Sequence, residues 1–154
     1  MRRSDKKVAE KTAIEDIIKQ SIVCRLALCE GDRPYIVPLC FGYKDDTLYF
    51  HSAPEGKKID MLKKNPKVCF EFDIDCRAVE SEIACEWGMN YQSVIGFGKA
   101  RIVGEIHEKQ EALALIMQQY TDRSLPIPEK IAAHTAVIKV EIESMTAKRS
   151  VKGD

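Results

Sequence analysis

The stretch from Tyr49 to Pro66, YFHSAPEGKKIDMLKKNP, changes its backbone pattern twice in a short span, and the rest of the chain is arranged around it. Leu48, Tyr49 and Phe50 form an apolar, aromatic run that reads as a strand. Ser, Pro and Gly within 51–56 then make a loop. Residues 57–64 restart as a short helix, which Asn65-Pro66 ends. A helix start offers unbonded N–H groups and the positive end of the helix dipole, and here it also carries Lys57 and Lys58. Two readings are open at this point. One is an anion site suited to phosphate; the other is a solvated basic first turn.

The remaining chain supplies strands in quantity. After a polar, basic start over 1–11, expected to be mobile, Thr12-Ala13-Ile14-Glu15 reads as a capping box opening a helix with the stripe Ile14, Ile17, Ile18. Residues 22–30 are apolar at nearly every position, which predicts a strand buried on both faces, with Arg25 in need of a partner. Residues 34–43 alternate, with Tyr35, Val37, Leu39, Phe41 and Tyr43 on one face. Pro38 lies in the middle of that run and cannot donate to a ladder, so one side of it is an edge, a bulge or a place for something other than a strand. Lys44-Asp45-Asp46 is a hairpin turn leading into a strand over 47–50.

Residues 68–74 place Val68, Phe70, Phe72 and Ile74 opposite Cys69, Glu71 and Asp73. Residues 75–90 show no period and are expected as a long loop holding Cys76, Cys85 and the only tryptophan, Trp87. A long strand follows over 91–104, with Gly96 and Gly98 on one face. That spacing admits another backbone, a flat ligand or sharp coiling. A helix over 108–120 carries Ala112, Leu113, Ile116, Met117 and Tyr120 as its stripe, and 128–134 adds a further turn. The last strand is expected over 135–142, followed by a basic tail that frays at its end. Six mostly antiparallel strands with helices outside predict a mainly β (α+β) fold, a small closed or split barrel. One folded unit over 12–149 is expected, between a flexible start (1–11) and a short tail (150–154).

Bulk properties narrow the function. Lys plus Arg and Asp plus Glu each number 24, so the formal net charge is zero and no global field favours nucleic acid or an anionic membrane. No apolar run reaches the ~18 residues of a membrane span, nor does one follow the basic start as in a signal peptide, so the expected compartment is the cytoplasm. None of the six cysteines has C-x-x-C spacing. Cys24, Cys40 and Cys69 fall in apolar strand patterns, and no metal site is expected. No G-x-G-x-x-G opens a helix after a strand, and none of the three histidines belongs to a Ser-His-Asp set.

The order of these motifs resembles a known family: a strand with VPL, a hairpin, a strand ending YFH, an S/A-x-x-G-K-K helix, an N-P-K-V-C-F strand, then Y-x-S-V-I-G-x-G-x-A. It is similar to the FMN-binding split barrels of the pyridoxamine 5′-phosphate oxidase superfamily, and most of all to the branch of 5-nitroimidazole resistance proteins. The resemblance covers residues 22–148. It implies a six-stranded antiparallel split β-barrel binding flavin mononucleotide (FMN). Backbone groups of Val37, Pro38, Leu39, Cys40 and Phe41 would line the flavin ring, and His51 and Ser52 would touch it. Lys57 and Lys58 would hold the phosphate, and Trp87, Tyr91 and Ser93 would lie near the cofactor. It also implies a homodimer whose second subunit completes the site. The C-terminal Arg-Leu-x-Pro of the B6 oxidases is missing, which argues against vitamin B6 oxidation.

The function so implied is a flavin-dependent reductase, passing electrons from a nicotinamide or protein donor to a small electron-poor acceptor such as a nitroaromatic. The flavin carries that chemistry and no dedicated catalytic side chain stands out. Alternatives are a non-catalytic flavin or haem binder, and a deazaflavin-dependent reductase. His51 reads as a flavin contact, a proton donor or a polar strand end; Trp87 and Tyr91 as ring neighbours or interface packing.

Overall fold

The computed structural model describes residues 6–151. In chain order these form strand β1 (Lys7–Val8), helix α1 (Lys11–Gln20), and strands β2 (Cys24–Glu30), β3 (Arg33–Leu39), β4 (Phe41–Lys44) and β5 (Thr47–Ser52). Helix α2 (Lys57–Lys64), strands β6 (Lys67–Val79) and β7 (Gly88–Ile102), helices α3 (Ile106–Gln118) and α4 (Glu129–Ala133), and strand β8 (Ala136–Ser150) complete it. None of the described helices is long and apolar enough to cross a membrane.

The sheet is antiparallel and runs β3-β2-β6-β7-β8-β5-β4, with β1 paired to β8 outside this path. Its two edge strands, β3 and β4, are consecutive in sequence and separated only by Cys40. One residue spans at most ~3.6 Å, so the two edges must come together and the sheet must curl on itself. No ladder bridges β3 and β4, so the barrel is split along that seam. The expected split barrel is therefore present, with eight strands rather than six. Cys40 breaks the run over 34–43 into two strands, and Lys7–Val8 adds a short one. Pro38 accordingly lies on an edge strand, paired with Arg25 on one side only.

The interior is filled from alternate residues. Phe41, Phe50, Phe70 and Phe72 are fully buried, with ring centroids 4.8 Å apart for Phe41–Phe72 and 5.9 Å for Phe70–Phe72. Tyr35, Val37, Leu39 and Tyr43 pack against this cluster, so the alternation read over 34–43 holds across the break. Ile14, Ile17 and Ile18 of α1 and Ile59, Met61 and Leu62 of α2 close the core. Tyr120, just after α3, fastens the crossover: its hydroxyl accepts the Phe41 N–H and donates to the Ile22 carbonyl, both at 3.0 Å.

Several local expectations are overturned. The capping box is absent: α1 starts at Lys11, Glu10 occupies the cap position without a side-chain bond, and Glu15 accepts the Tyr43 hydroxyl at 3.1 Å. Strand β2 is buried on one face only. Cys24, Leu26 and Leu28 point inward, whereas Arg25, Ala27 and Cys29 do not, and Ile22 is 74% exposed. Half of the long loop expected over 75–90 is strand. A bulge between Ile74 and Arg77, with Asp75 at φ 57°, lets β6 continue to Val79 opposite Gly88 of β7. The last strand runs past the expected 142, since β7 and β1 pair β8 as far as Ser150, and the end expected to fray lies outside the described residues. Of the mobile start, Lys7–Val8 joins the sheet; residues 1–5 and 152–154 lie outside the described residues.

Gly96 and Gly98 of β7 serve internal packing and coiling, not ligand approach. A Cβ on Gly96 would overlap the Phe70 ring, and one on Gly98 would overlap the Glu141 carbonyl at the bulge between Phe97 and Gly98. Gly96→Ala overpacks a core that has no slack, so thermal or denaturant unfolding should show a loss of about 1–3 kcal/mol.

Candidate functional site

Two elements border the seam: the crossover, where Phe41 pairs with Phe50 just before the end of β5, and the free edge of β3, which the start of α2 reaches through Lys57 and Tyr35. Gly56 caps α2 at φ 122°, a backbone conformation that suits glycine, and the first helical bond is Asp60 N–H to the Gly56 carbonyl at 3.1 Å. The N–H groups before it have no helical acceptor. The helix is held at its other end as well. Asn65 Nδ2 donates to the Cys29 carbonyl at 2.9 Å, its Oδ1 accepts the Lys67 N–H, and Lys64 pairs with Glu30. With Ile59, Met61 and Leu62 buried, the N-terminal turn is fixed relative to the barrel.

Lys57 and Lys58 differ in environment. Lys57 is exposed, and its Nζ stands 4.3 Å from the centroid of the Tyr35 ring on β3, a cation–π contact that ties the helix start to the edge strand. Lys58 is half-buried, and burial alone lowers its pKa. Among the described residues it has no hydrogen bond or ion pair. A cation partly withdrawn from water without an anion is costly. Its place at a helix start, at the positive end of the helix dipole, suits an anion.

Val37, Pro38 and Leu39 lie on β3, whose outer edge has no strand partner, with Cys40 and Phe41 at the crossover. Cys40 is exposed and Phe41 is fully buried, so only the backbone of Phe41 can face a ligand. His51 and Ser52 end β5 opposite Val137 and Ala136; His51 is exposed and Ser52 half-buried. Phe41 at the crossover pairs with Phe50, next to His51, and Lys57 reaches Tyr35 of the edge strand.

Trp87, Tyr91 and Ser93 do not join them within one chain. Trp87, half exposed, donates its Nε1–H to the Ser81 carbonyl at 2.7 Å. Tyr91 and Ser93 line a pocket of about 490 Å³ with Arg25, Glu71, Asp73, Cys76 and Met89, on the outside of the barrel. Ser93 pairs with β6, β6 with β2, and β2 with β3, so three strand spacings, roughly 14 Å, separate it from the seam edge.

The pocket contains an ion cluster that sequence reasoning left unpaired. Arg25 Nη1 meets Glu71 Oε2 at 3.0 Å and also contacts Asp73 Oδ1. Asp73 additionally accepts the Cys76 thiol at 3.0 Å, which with Arg25 holds its pKa low. Glu71 is pushed up, by burial first and by Asp73 second, and Arg25 only partly opposes this. The need of Arg25 for a partner was legible in the sequence, and so was the alternation placing Glu71 beside Asp73. The register Arg25↔Glu71 was not. Tyr35 was also missed as a site residue, since its alternation marked it only as core.

The chain matches the family model described as pyridoxamine 5′-phosphate oxidase over residues 10–149. It is 36% identical to a candidate 5-nitroimidazole antibiotic resistance protein from Bacteroides thetaiotaomicron VPI-5482. That crystal structure superposes with a TM-score of 0.83 over 92% of this chain and 85% of the other. The FAD and haem binding protein from Mycobacterium smegmatis shares the fold at a TM-score of 0.86 with 18% identity, over 96% of this chain and 74% of that one. An uncharacterized protein of Rhizobium meliloti (strain 1021) is 28% identical over 96% of this chain and 97% of its own. A family model spanning all but the ends of the chain, together with a split barrel of the same topology, places this protein in the pyridoxamine 5′-phosphate oxidase family.

Proposed function

We propose that the seam binds FMN and that the protein is a flavin-dependent oxidoreductase acting on a small electron-poor acceptor. The observation that carries this is Lys58: a half-buried cation with no anionic partner among the described residues, at the start of a helix whose buried face and C-terminal end are tied to the barrel. Phosphate is the anion such a site favours. Lys57, held beside it by Tyr35, supplies a second charge. The unpaired edge of β3 offers backbone donors and acceptors to the polar rim of a ring. Pro38, which has no N–H, leaves one position there without a donor. Ser52 is placed to contribute a hydroxyl. The bound flavin would supply the electron transfer, and the protein would position and tune it. Acceptors of the nitroaromatic class are suggested by the relative that is 36% identical.

We further propose a homodimer. The outer faces of β3, β2, β6 and β7 carry the row Ile36, Ala27, Cys69, Phe97 and the neighbouring row Pro38, Arg25, Glu71, Ile95. Ile36, Ile95 and Phe97 are 59, 44 and 55% exposed, a contiguous apolar surface of the kind that marks an interface. A second copy laid on this face would bring its own Trp87, Tyr91 and Ser93 toward the seam that lacks them. Six free thiols suit a reducing, cytoplasmic setting.

The visible spectrum of the purified protein with added FMN tests the main reading. A bound, two-banded flavin spectrum, bleached by a nicotinamide or ferredoxin donor, is expected. A protein that stays colourless rules the reading out, and a Soret band would point to haem. Replacing both Lys57 and Lys58 by Ala should weaken FMN binding by about 3 kcal/mol or more, on the order of a hundredfold, each charged hydrogen bond being worth ~1.5–3 kcal/mol. Phe97→Asp should convert the dimer to monomer in sedimentation and lower flavin affinity with it; a wild-type monomer would refute the interface.

Lys58→Met isolates the buried charge without any flavin. The folded pKa of Lys58 lies below the ordinary 10.5, so the unfolded chain binds more protons between those two values and stability rises with pH there. Below that window the ligand-free protein bears the full cost. The variant should unfold at a higher temperature than wild type at neutral pH, and the gap should narrow as pH approaches 10.5.

A further inference from the structure

The two outer rows on β3, β2, β6 and β7 share a symmetry. One reads Ile36, Ala27, Cys69, Phe97, and the next reads Pro38, Arg25, Glu71, Ile95. Each repeats its character about the line between β2 and β6. In the first, the large exposed side chains Ile36 and Phe97 flank the small Ala27 and Cys69. In the second, the apolar Pro38 and Ile95 flank a base and an acid, which already pair at 3.0 Å within the chain.

Two identical faces fit only where each is complementary to itself, so that residue i meets j and j meets i. Stacked sheets keep their strands within about 30° of one another, so the rows stay matched near the axis. That condition selects among the two-fold axes that can lie between the two faces. An axis along β2 sets Arg25 on Arg25, and one along β6 sets Glu71 on Glu71. An axis between β6 and β7 sets Glu71 on Ile95. One crossing the strands, between the rows, sets Arg25 on Ala27 and Glu71 on Cys69. Each of these buries a charge against a like charge or an apolar group, which is costly. An axis along β7 shifts β2 and β3 out over β8 and beyond, so the apolar rows leave Ile36 uncovered, the most exposed of the three large apolar side chains. The line between β2 and β6 has none of these faults.

We propose that the two-fold axis of the homodimer runs along the strands between β2 and β6, so that Ile36 packs on the partner's Phe97 and Arg25 on the partner's Glu71, each contact occurring twice. This placement rests on the homodimer proposed above and says which strands meet. Two arginines and two glutamates then alternate around the axis, and each finds an opposite charge within its own chain and another across the interface. One row further on, Cys40 follows β3 and Ser93 lies on β7 opposite Asp73. The same axis lays β7 of one copy over β3 of the other, which brings the partner's Ser93 over Cys40 at the crossover. The second chain thereby borders the seam.

Mixing variants in analytical sedimentation tests the placement. Ile36 and Phe97 stand three strand spacings apart in one chain, roughly 14 Å, so they can meet only across subunits. Ile36→Asp and Phe97→Lys should each weaken the dimer about tenfold or more, with melting curves showing that both variants fold. Their equimolar mixture should form a heterodimer about tenfold tighter than either variant alone, because the new carboxylate faces the new ammonium at one contact and the other contact is native. Arg25→Glu mixed with Glu71→Arg should likewise recover the dimer, although the pair within each chain stays broken. A dimeric wild type whose variant mixtures stay monomeric overturns the axis and leaves the homodimer standing. Recovery on mixing Phe97→Asp with Phe97→Lys moves the axis to β7 and also overturns it. A monomeric wild type removes the interface and the axis together.

Discussion

A one-residue crossover between strands at opposite edges of the sheet governs the architecture. Once Cys40 joins β3 to β4, a flat sheet is impossible, because the chain cannot reach across five intervening strands. Curling brings the edges together, and the missing ladder between them leaves backbone groups facing an opening. The four buried phenylalanines fill the space that the curl encloses, and Gly96 is there because the Phe70 ring needs its place. The clamp from Tyr120 to Phe41 and Ile22 holds the crossover from outside. Burial there pushes the Tyr120 hydroxyl up to about 12, so it stays protonated and can keep donating.

The charged groups divide into those already satisfied and those awaiting a partner. Arg25 is satisfied by Glu71 and Asp73, on the outer face. Lys57 is partly satisfied by an aromatic face, and Lys58 is not satisfied at all. The contrast matters because both situations arise from the same fold. Where the sheet sets acids beside a base, the charges close on each other. Where a helix starts at the seam, nothing among the described residues answers the lysine.

Elements with local punctuation were legible in the sequence. Helix α2 falls at 57–64 as read, because Gly56 and Asn65-Pro66 mark both its ends. The alternation over 34–43 was legible because one face of β3 and β4 meets the core. The extensions of β6 and β8 were not, since Asp75, Cys76, Lys148 and Arg149 are polar and are held in the sheet by neighbouring strands. The two-sided burial expected for β2 failed for a related reason: Ala27 and Cys29 look like core but face outward. The capping box gave way to tertiary structure, as Glu15 found Tyr43 instead. At the site, residue types and their order marked the seam group, whereas the Arg25 cluster depends on strand register, which no short window of sequence contains.

The pairing of β1 with β8 has a topological consequence. Residues 7 and 148 face each other, so the two ends of the fold occupy the same place on its surface. A short Gly-Ser bridge could join them into a ring, and the ring could be cut in the turn over 80–87, which belongs to no strand. Such a permuted chain would begin at β7 and end at β6, with every ladder intact. The order in which strands leave the ribosome would change, while the barrel they build would not.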